Sequence, residues 1–79
     1  MAPETAAPWI SVRVTPTRDA ADARRACLAA LFRVGAQGVH EDGAALVTHF
    51  PPGTDLAAVH EALTSADETV VIETAPVPS

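Results

Sequence analysis

The chain has 79 residues, 48% of them hydrophobic, and a formal net charge of −5 at pH 7. A chain this short forms one small core, which excludes a second, catalytic domain within it. All five basic residues are arginines, against ten acidic residues. This balance disfavours nucleic-acid binding, because neutralising phosphates requires a dense basic patch.

Cysteine content and hydropathy indicate where the chain resides. Cys27 is the single cysteine, so neither an internal disulfide nor a CxxC metal site can form. The longest apolar run, residues 26–32, has seven residues, whereas a membrane span needs about twenty. The first residues also lack the basic and apolar regions of a secretory signal. We therefore expect a cytoplasmic chain with no membrane span.

The first half of the chain predicts a strand followed by a helix. Residues 9–14 alternate apolar and other side chains with the period of two that is typical of a half-buried strand. The helix that follows is expected to begin at a cap formed by Thr17 or Asp19. It runs to Val34, and Gly35 stands where helices end. Its apolar positions share one face of a 3.6-residue helix: Ala20, Ala23, Cys27, Ala30, Leu31 and Val34.

The middle of the chain predicts a hairpin. Residues 39–41 and 45–50 read as strands, and Asp42-Gly43 between them tolerates the positive φ angles of a two-residue turn. That turn would place His40 opposite Ala45.

A second helix and a last strand complete the predicted fold. Thr54 or Asp55 caps the helix, and residues 69–73 have the β-branched density of a strand. The order βαββαβ predicts an α+β, ferredoxin-like plait, with two helices on one face of a four-stranded antiparallel sheet. We expect a domain of residues 9–74 between extended tails at residues 1–8 and 75–79, and we expect a partner to order those tails.

The sheet face away from the helices is the first candidate for function. If Ile10, Val12 and Val14 face the helices, alternation places a mixed set of side chains on the open face. Because Trp and Arg are enriched as binding anchors, this set predicts a protein contact; the alternative is a set of ordinary solvated residues. The candidate residues are Trp9, Arg13, His40, Val47 and His49, with Val71 beside them.

A second candidate surface lies on the first helix. Leu28 and Phe32 are four residues apart and lie off the centre of the buried stripe, so they are candidates for a docking patch. The alternative is that the neighbouring helix covers both side chains as part of the core.

The sequence contains few of the residue patterns that catalytic sites and metal sites require. Cys27 lies on the buried helical stripe, where a cysteine behaves as a small hydrophobe. His40 and His49 share a sheet face, but a zinc site needs at least a third protein ligand. The sequence contains no GxGxxG, GxxxxGK or HExxH motif. We therefore predict no catalytic, cofactor-binding or metal-binding residues.

Three strings resemble a known family: PWISVRV at residues 8–14, LFRVGAQGV at residues 31–39, and Phe50-Pro51 at the end of the hairpin. Together they are similar to the N-terminal domain of the ribosomal protein L-eleven methyltransferase family, over residues 8–73. The resemblance implies a ferredoxin-like domain that recognises the ribosomal-protein substrate. In that family a separate Rossmann-like domain binds S-adenosylmethionine and transfers the methyl group. Because the sequence stops at Ser79, we expect recognition rather than methylation from this chain.

These observations converge on a non-catalytic docking module or accessory subunit. We expect its partner to be a protein, either a ribosomal protein or a component of a large multisubunit complex. Two alternatives stay open at this point: a fragment of an S-adenosylmethionine-dependent protein methyltransferase, and a regulatory domain that senses a small molecule.

Overall fold

The computed structural model describes residues 8–17 and 20–77. The element order βαββαβ and the α+β plait predicted from the sequence are confirmed. The elements are β1 (Ile10–Thr15), α1 (Ala20–Arg33), β2 (Val39–Asp42), β3 (Ala45–Phe50), α2 (Leu56–Ala66) and β4 (Val71–Pro76).

The four strands form one sheet in the order β2-β3-β1-β4, with every neighbouring pair antiparallel. It follows that β1 and β2 run in the same direction, as do β3 and β4. Each helix therefore connects two parallel strands that are separated by one other strand. This is the split βαβ connection of a ferredoxin-like plait.

The core lies between the helices and one face of the sheet. The strands contribute alternate residues, whose side chains therefore point to the same side. Because residues of both helices pack against this one set, α1 and α2 lie on the same face. The largest members of the core are Val12, Val14, Leu46 and Phe50 from the sheet, Cys27 and Leu31 from α1, and Val59 and Leu63 from α2.

The end of α1 agrees with the predicted stop at Gly35. The backbone N–H of Gly35 donates to Phe32 O at 3.1 Å, and that of Ala36 donates to Leu31 O at 3.0 Å. This pair of bonds forms a Schellman motif, in which the first of the two donor residues has a positive φ. Gly35 has a φ of +104°.

The hairpin turn differs from the prediction by one position. Asp42 pairs with Ala45, so the two-residue turn is Gly43-Ala44 rather than Asp42-Gly43. Gly43 has a φ of +62°, and Ala44, like every other described non-glycine residue, has a negative φ. Such a turn takes glycine at its first central position. His40 consequently lies opposite Val47 instead of Ala45, a shift of two residues that keeps the same side chains on each face.

The last strand begins and ends later than predicted, at Val71 and Pro76 instead of residues 69 and 73. The pairing continues beyond the strand, because Val77 N–H donates to Trp9 O at 2.8 Å. Hydrogen-bonded and non-bonded pairs alternate in an antiparallel ladder, so the neighbouring pair of Ile10 and Pro76 is non-bonded. The nitrogen of Pro76 thus points away from β1, and the proline removes no bond from the sheet. The predicted tails at residues 1–7 and 78–79, and the cap at Asp19, lie outside the described residues.

Candidate functional site: the outer face of the sheet

The sheet face opposite the helices, called the outer face below, is assembled by the strand register. Arg13 lies opposite Val47 on one side and Glu73 on the other, while Val47 lies opposite His40. The neighbouring row pairs Ser11 with His49. All the sheet-face candidates predicted from alternation therefore share this face. The strand residues of the outer face are Ser11, Arg13, Thr15, His40, Asp42, Ala45, Val47, His49, Val71, Glu73 and Ala75.

Trp9 lies at the edge of the outer face, where β1 begins, and continues the alternation of Ser11 and Arg13. Its side chain is 47% exposed. Its carbonyl oxygen accepts the hydrogen bond from Val77 N–H, so the backbone that carries the indole is held on the sheet. A large apolar ring on an anchored backbone is suited to binding, because little conformational entropy remains to be lost.

An ion pair crosses the outer face and changes one of the predictions. Arg13 Nη1 lies 2.8 Å from Asp42 Oδ2, and these residues belong to β1 and β2, with β3 between them. The arginine stem therefore lies across β3, next to Ala45 and Val47. Val47 was expected to be exposed, but it is only 9% exposed. Val47 is thus part of the floor of the outer face and not a free contact residue.

The two histidines of the outer face are both exposed. His40 lies opposite Val47, and His49 follows Val47 by two residues, so the imidazoles are diagonal neighbours on adjacent strands. Within residues 8–17 and 20–77, no group of three His, Cys, Asp or Glu side chains could hold a metal ion. The histidines are therefore placed to donate or accept hydrogen bonds at the surface.

The predicted patch on α1 is divided by the structure. Leu28 is half-buried and packs against the core. Phe32 is 50% exposed, with Arg25 and Ala29 exposed on the same side of the helix. One aromatic side chain, rather than an apolar pair, is left available on this surface.

A buried carboxylate, Asp67, was not found by sequence reasoning. It is 0% exposed and lies at the C-terminal end of α2. Its carboxylate accepts hydrogen bonds from Thr17 N–H at 3.0 Å, from Thr69 N–H at 3.1 Å and from the Thr69 hydroxyl at 2.9 Å. Thr17, one of the two residues predicted to cap α1, joins the segment after β1 to the segment before β4. Several donors converging on one buried acceptor make Asp67 a structural residue.

The single thiol also belongs to this interior. Cys27 is fully buried, as its place on the helical stripe predicts. Burial, and then the negative charge of Asp67, raise the pKa of Cys27 above its ordinary value. A protonated, buried thiol is a poor nucleophile.

A groove of about 220 Å³ separates the two helices. Sites for drug-sized ligands have volumes of about 300–1,000 Å³, so this groove is small for an organic ligand. Most of its lining consists of alanine side chains. It is lined by Ala26, Ala29, Ala30 and Arg33 from α1 and by Ala62, Ser65 and Ala66 from α2. Neither helix, over its described residues, has the length and apolar character required to cross a membrane.

Comparisons with known proteins identify no relative: no protein-family model, curated protein or solved structure matches the chain. The resemblance to the methyltransferase domain consequently stays a prediction, and function is argued below from the geometry.

Proposed function

We propose that the chain is a non-catalytic protein-docking module that binds its partner through the outer face of the sheet. One observation carries the proposal: the side chain of Trp9 is exposed at the rim of the outer face, and a hydrogen bond from Val77 holds its backbone in place. Both helices pack against the opposite face of the sheet. Tryptophan is prominent among residues that dominate binding energy. His49 is the polar candidate nearest to Trp9, as its diagonal neighbour across β1 and β3, while Arg13 and His40 lie farther along the same face.

The size of the outer face suggests a transient contact. Four strands spaced about 4.8 Å apart, with six residues rising about 3.3 Å each, give a face of roughly 400 Å². Stable complexes bury about 800 Å² on each partner. We therefore expect the outer face to act together with a neighbouring surface, or to bind weakly.

The resemblance proposes an identity for the partner. A domain similar to the recognition domain of the ribosomal-protein methyltransferases would bind ribosomal protein L-eleven in the cytoplasm, and the methyl transfer would belong to a separate domain. An accessory subunit of another large assembly would use the same face, with a different partner. Both versions are protein docking without catalysis by this chain.

Two other functions make different predictions. A small-molecule sensor would be stabilised against heat by a metabolite alone, whereas a docking module would be stabilised only by its protein partner. The small volume of the interhelical groove favours the docking module. A methyltransferase fragment would be followed in its reading frame by a glycine-rich turn between a strand and a helix.

The test is a calorimetric titration of the chain with purified ribosomal protein L-eleven. We expect Trp9→Ala to weaken binding about tenfold or more, because truncating a tryptophan that anchors a contact removes about 1.4 kcal/mol or more. His49→Ala should weaken binding by a smaller factor. Phe32→Ala is the matched control, since it removes an aromatic side chain of similar exposure from the helical side.

Equal binding by Trp9→Ala and the unmodified chain would contradict the outer face as the docking surface. Loss of binding in Phe32→Ala alone would assign docking to α1 instead. Absence of any heat with this partner, together with stabilisation by S-adenosylmethionine alone, would contradict the docking function.

A further inference from the structure

We infer that the free edge of β4 is a strand-addition site, which pairs with an extended, basic segment of a protein partner. The inference rests on the proposed docking function and adds a second surface, next to the outer face, with a partner of stated chemistry. A fifth strand added beside β4 would also enlarge the contact area beyond that of the outer face alone.

The geometry of the ladder defines which groups this edge offers. Because Trp9 and Val77 form a bonded pair, the alternation makes the pairs of Ile72 with Val14 and of Thr74 with Val12 non-bonded. The backbone N–H and C=O of Ile72 and Thr74 therefore point away from β1. No further strand pairs with β4 among the described residues. Pro76 ends the row with a carbonyl oxygen alone, since proline has no N–H.

Only one of the two sheet edges is suited to strand addition. Natural proteins guard exposed edges with short strands and charged side chains. The other edge, β2, has four residues, and its Glu41 and Asp42 are held in ion pairs with arginines. In contrast, β4 has six residues and a single charge, at Glu73, and its Val71 is 48% exposed. The longer and less guarded edge is the one we assign.

Charge determines the chemistry of the segment. The described residues after Arg33 include no lysine or arginine. Glu73 lies opposite Arg13, but that guanidinium bonds Asp42, and Glu73 makes no ion pair with any described residue. A second copy of the chain would bring another acidic edge to this one, so a basic segment is favoured. The acidic residues of this part of the chain are Glu41, Asp42, Asp55, Glu61, Asp67, Glu68 and Glu73.

The expected pairing is specific at the level of residues. An incoming antiparallel strand would exchange hydrogen bonds with Ile72 and Thr74. The residue opposite Glu73 would then form a non-bonded pair, in which the side chains approach most closely. A lysine or arginine at that position would form a cross-strand ion pair, and an aliphatic residue would fit beside Val71.

The experiment uses a nine-residue peptide of alternating lysine and valine, blocked at both ends, titrated into the isotopically labelled chain and followed by amide NMR. We expect the largest shifts at the Ile72 and Thr74 amides, with those of β2 unchanged. The counterpart with glutamate in place of lysine should not bind. A version with proline in place of three valines keeps the charge but cannot form a ladder, and it should bind much more weakly.

Thr74→Pro is the most direct variant, because the N–H it removes points away from β1 and the ladder of the sheet stays intact. We expect it to weaken peptide binding about fivefold or more through the lost donor. Thr74→Val is the matched control, since it removes the hydroxyl group but keeps the N–H, and it should bind like the unmodified chain. Glu73→Gln should weaken binding of the lysine peptide by a smaller factor and reduce its dependence on salt. Unchanged amide shifts in the rest of the sheet verify the fold of each variant.

The outcomes separate this inference from the proposed function. Peptide binding that survives Trp9→Ala and is lost in Thr74→Pro supports the edge, whether or not ribosomal protein L-eleven binds the outer face. Amide shifts confined to the outer face, or equal peptide binding by Thr74→Pro and Thr74→Val, would contradict strand addition at β4. Neither result would contradict docking on the outer face. Amide shifts at β4 that appear without peptide, as the concentration of the chain rises, would show that a second copy of the chain pairs with this edge. They would contradict a basic segment as the partner.

Discussion

Asp67 joins two segments that lie far apart in the sequence. Its carboxylate takes the backbone N–H of Thr17, fifty positions earlier, and both donors of Thr69. The Thr17 hydroxyl in turn donates to the carbonyl oxygen of Thr69 at 2.7 Å. One buried side chain thus holds together the segment that follows β1 and the segment that precedes β4.

We expect Asp67→Ala to lower the free energy of unfolding by about 2–4 kcal/mol. The change removes the acceptor of three part-buried hydrogen bonds, and a hydrogen bond to a charged group contributes about 1.5–3 kcal/mol; because Thr17 and Thr69 are exposed, water replaces part of that contribution. Asp67→Asn keeps one acceptor oxygen and should have a smaller effect. Urea denaturation measures both values, and Glu61→Ala, an exposed acidic position on α2, should change them by less than about 0.5 kcal/mol. A similar small loss in Asp67→Ala would show that the hydrogen bonds contribute little.

Residues such as Asp67 are difficult to predict from sequence. Acidic side chains are rarely fully buried, so the segment around Asp67 looks like a solvated turn. Its burial depends on a contact with Thr17 that no local pattern contains. Val47 is similar: alternation predicts its face correctly, but it does not predict that the side chain is only 9% exposed there. Both cases depend on tertiary partners rather than on local periodicity.

The termination of α1 depends on one backbone conformation. We expect Gly35→Ala to destabilise the chain by about 1–2 kcal/mol, because an L side chain at a φ of +104° is strained even with open space around it. Gly38→Ala is the matched control: it lies three residues later, also has open space, and has no such φ. Thermal or urea denaturation compares the two variants. Equal stability would mean that the helix end tolerates another conformation.

Elements were predictable where periodicity or capping chemistry determines them. The period of two in β1 and β3, and the helical stripe through Cys27, were sufficient to predict the fold class. Asp55 caps α2 as one of the two residues expected, since its carboxylate accepts the Ala58 N–H at 3.1 Å. The predicted end of β4 was wrong because residues 75–79, which include Pro76, were assigned to an extended tail. A proline ends a strand only where its missing N–H would face a neighbour, and that depends on register.

Across the whole molecule, the absence of lysine and tyrosine makes the response to alkaline pH simple. The sequence contains one thiol, Cys27, and no lysine or tyrosine side chain to lose a proton in the same alkaline range. The pKa of Cys27 in the folded chain is raised by burial and by Asp67, whereas in the unfolded chain the thiol keeps its ordinary pKa of about 8.5.

The unfolded state therefore binds fewer protons than the folded state once the pH exceeds the ordinary thiol pKa. By linkage, the stabilisation that the protonated thiol provides is complete below that pH and is lost progressively as pH rises toward the folded-state pKa. We expect the free energy of unfolding to be constant just above pH 8 and to fall through pH 9 and 10, as measured by urea denaturation under argon. Cys27→Ala, although less stable throughout, should show no decline over the same range. A decline of the same size in Cys27→Ala would place its origin elsewhere in the chain, and a flat profile in the unmodified chain would mean that the thiolate is tolerated inside the core.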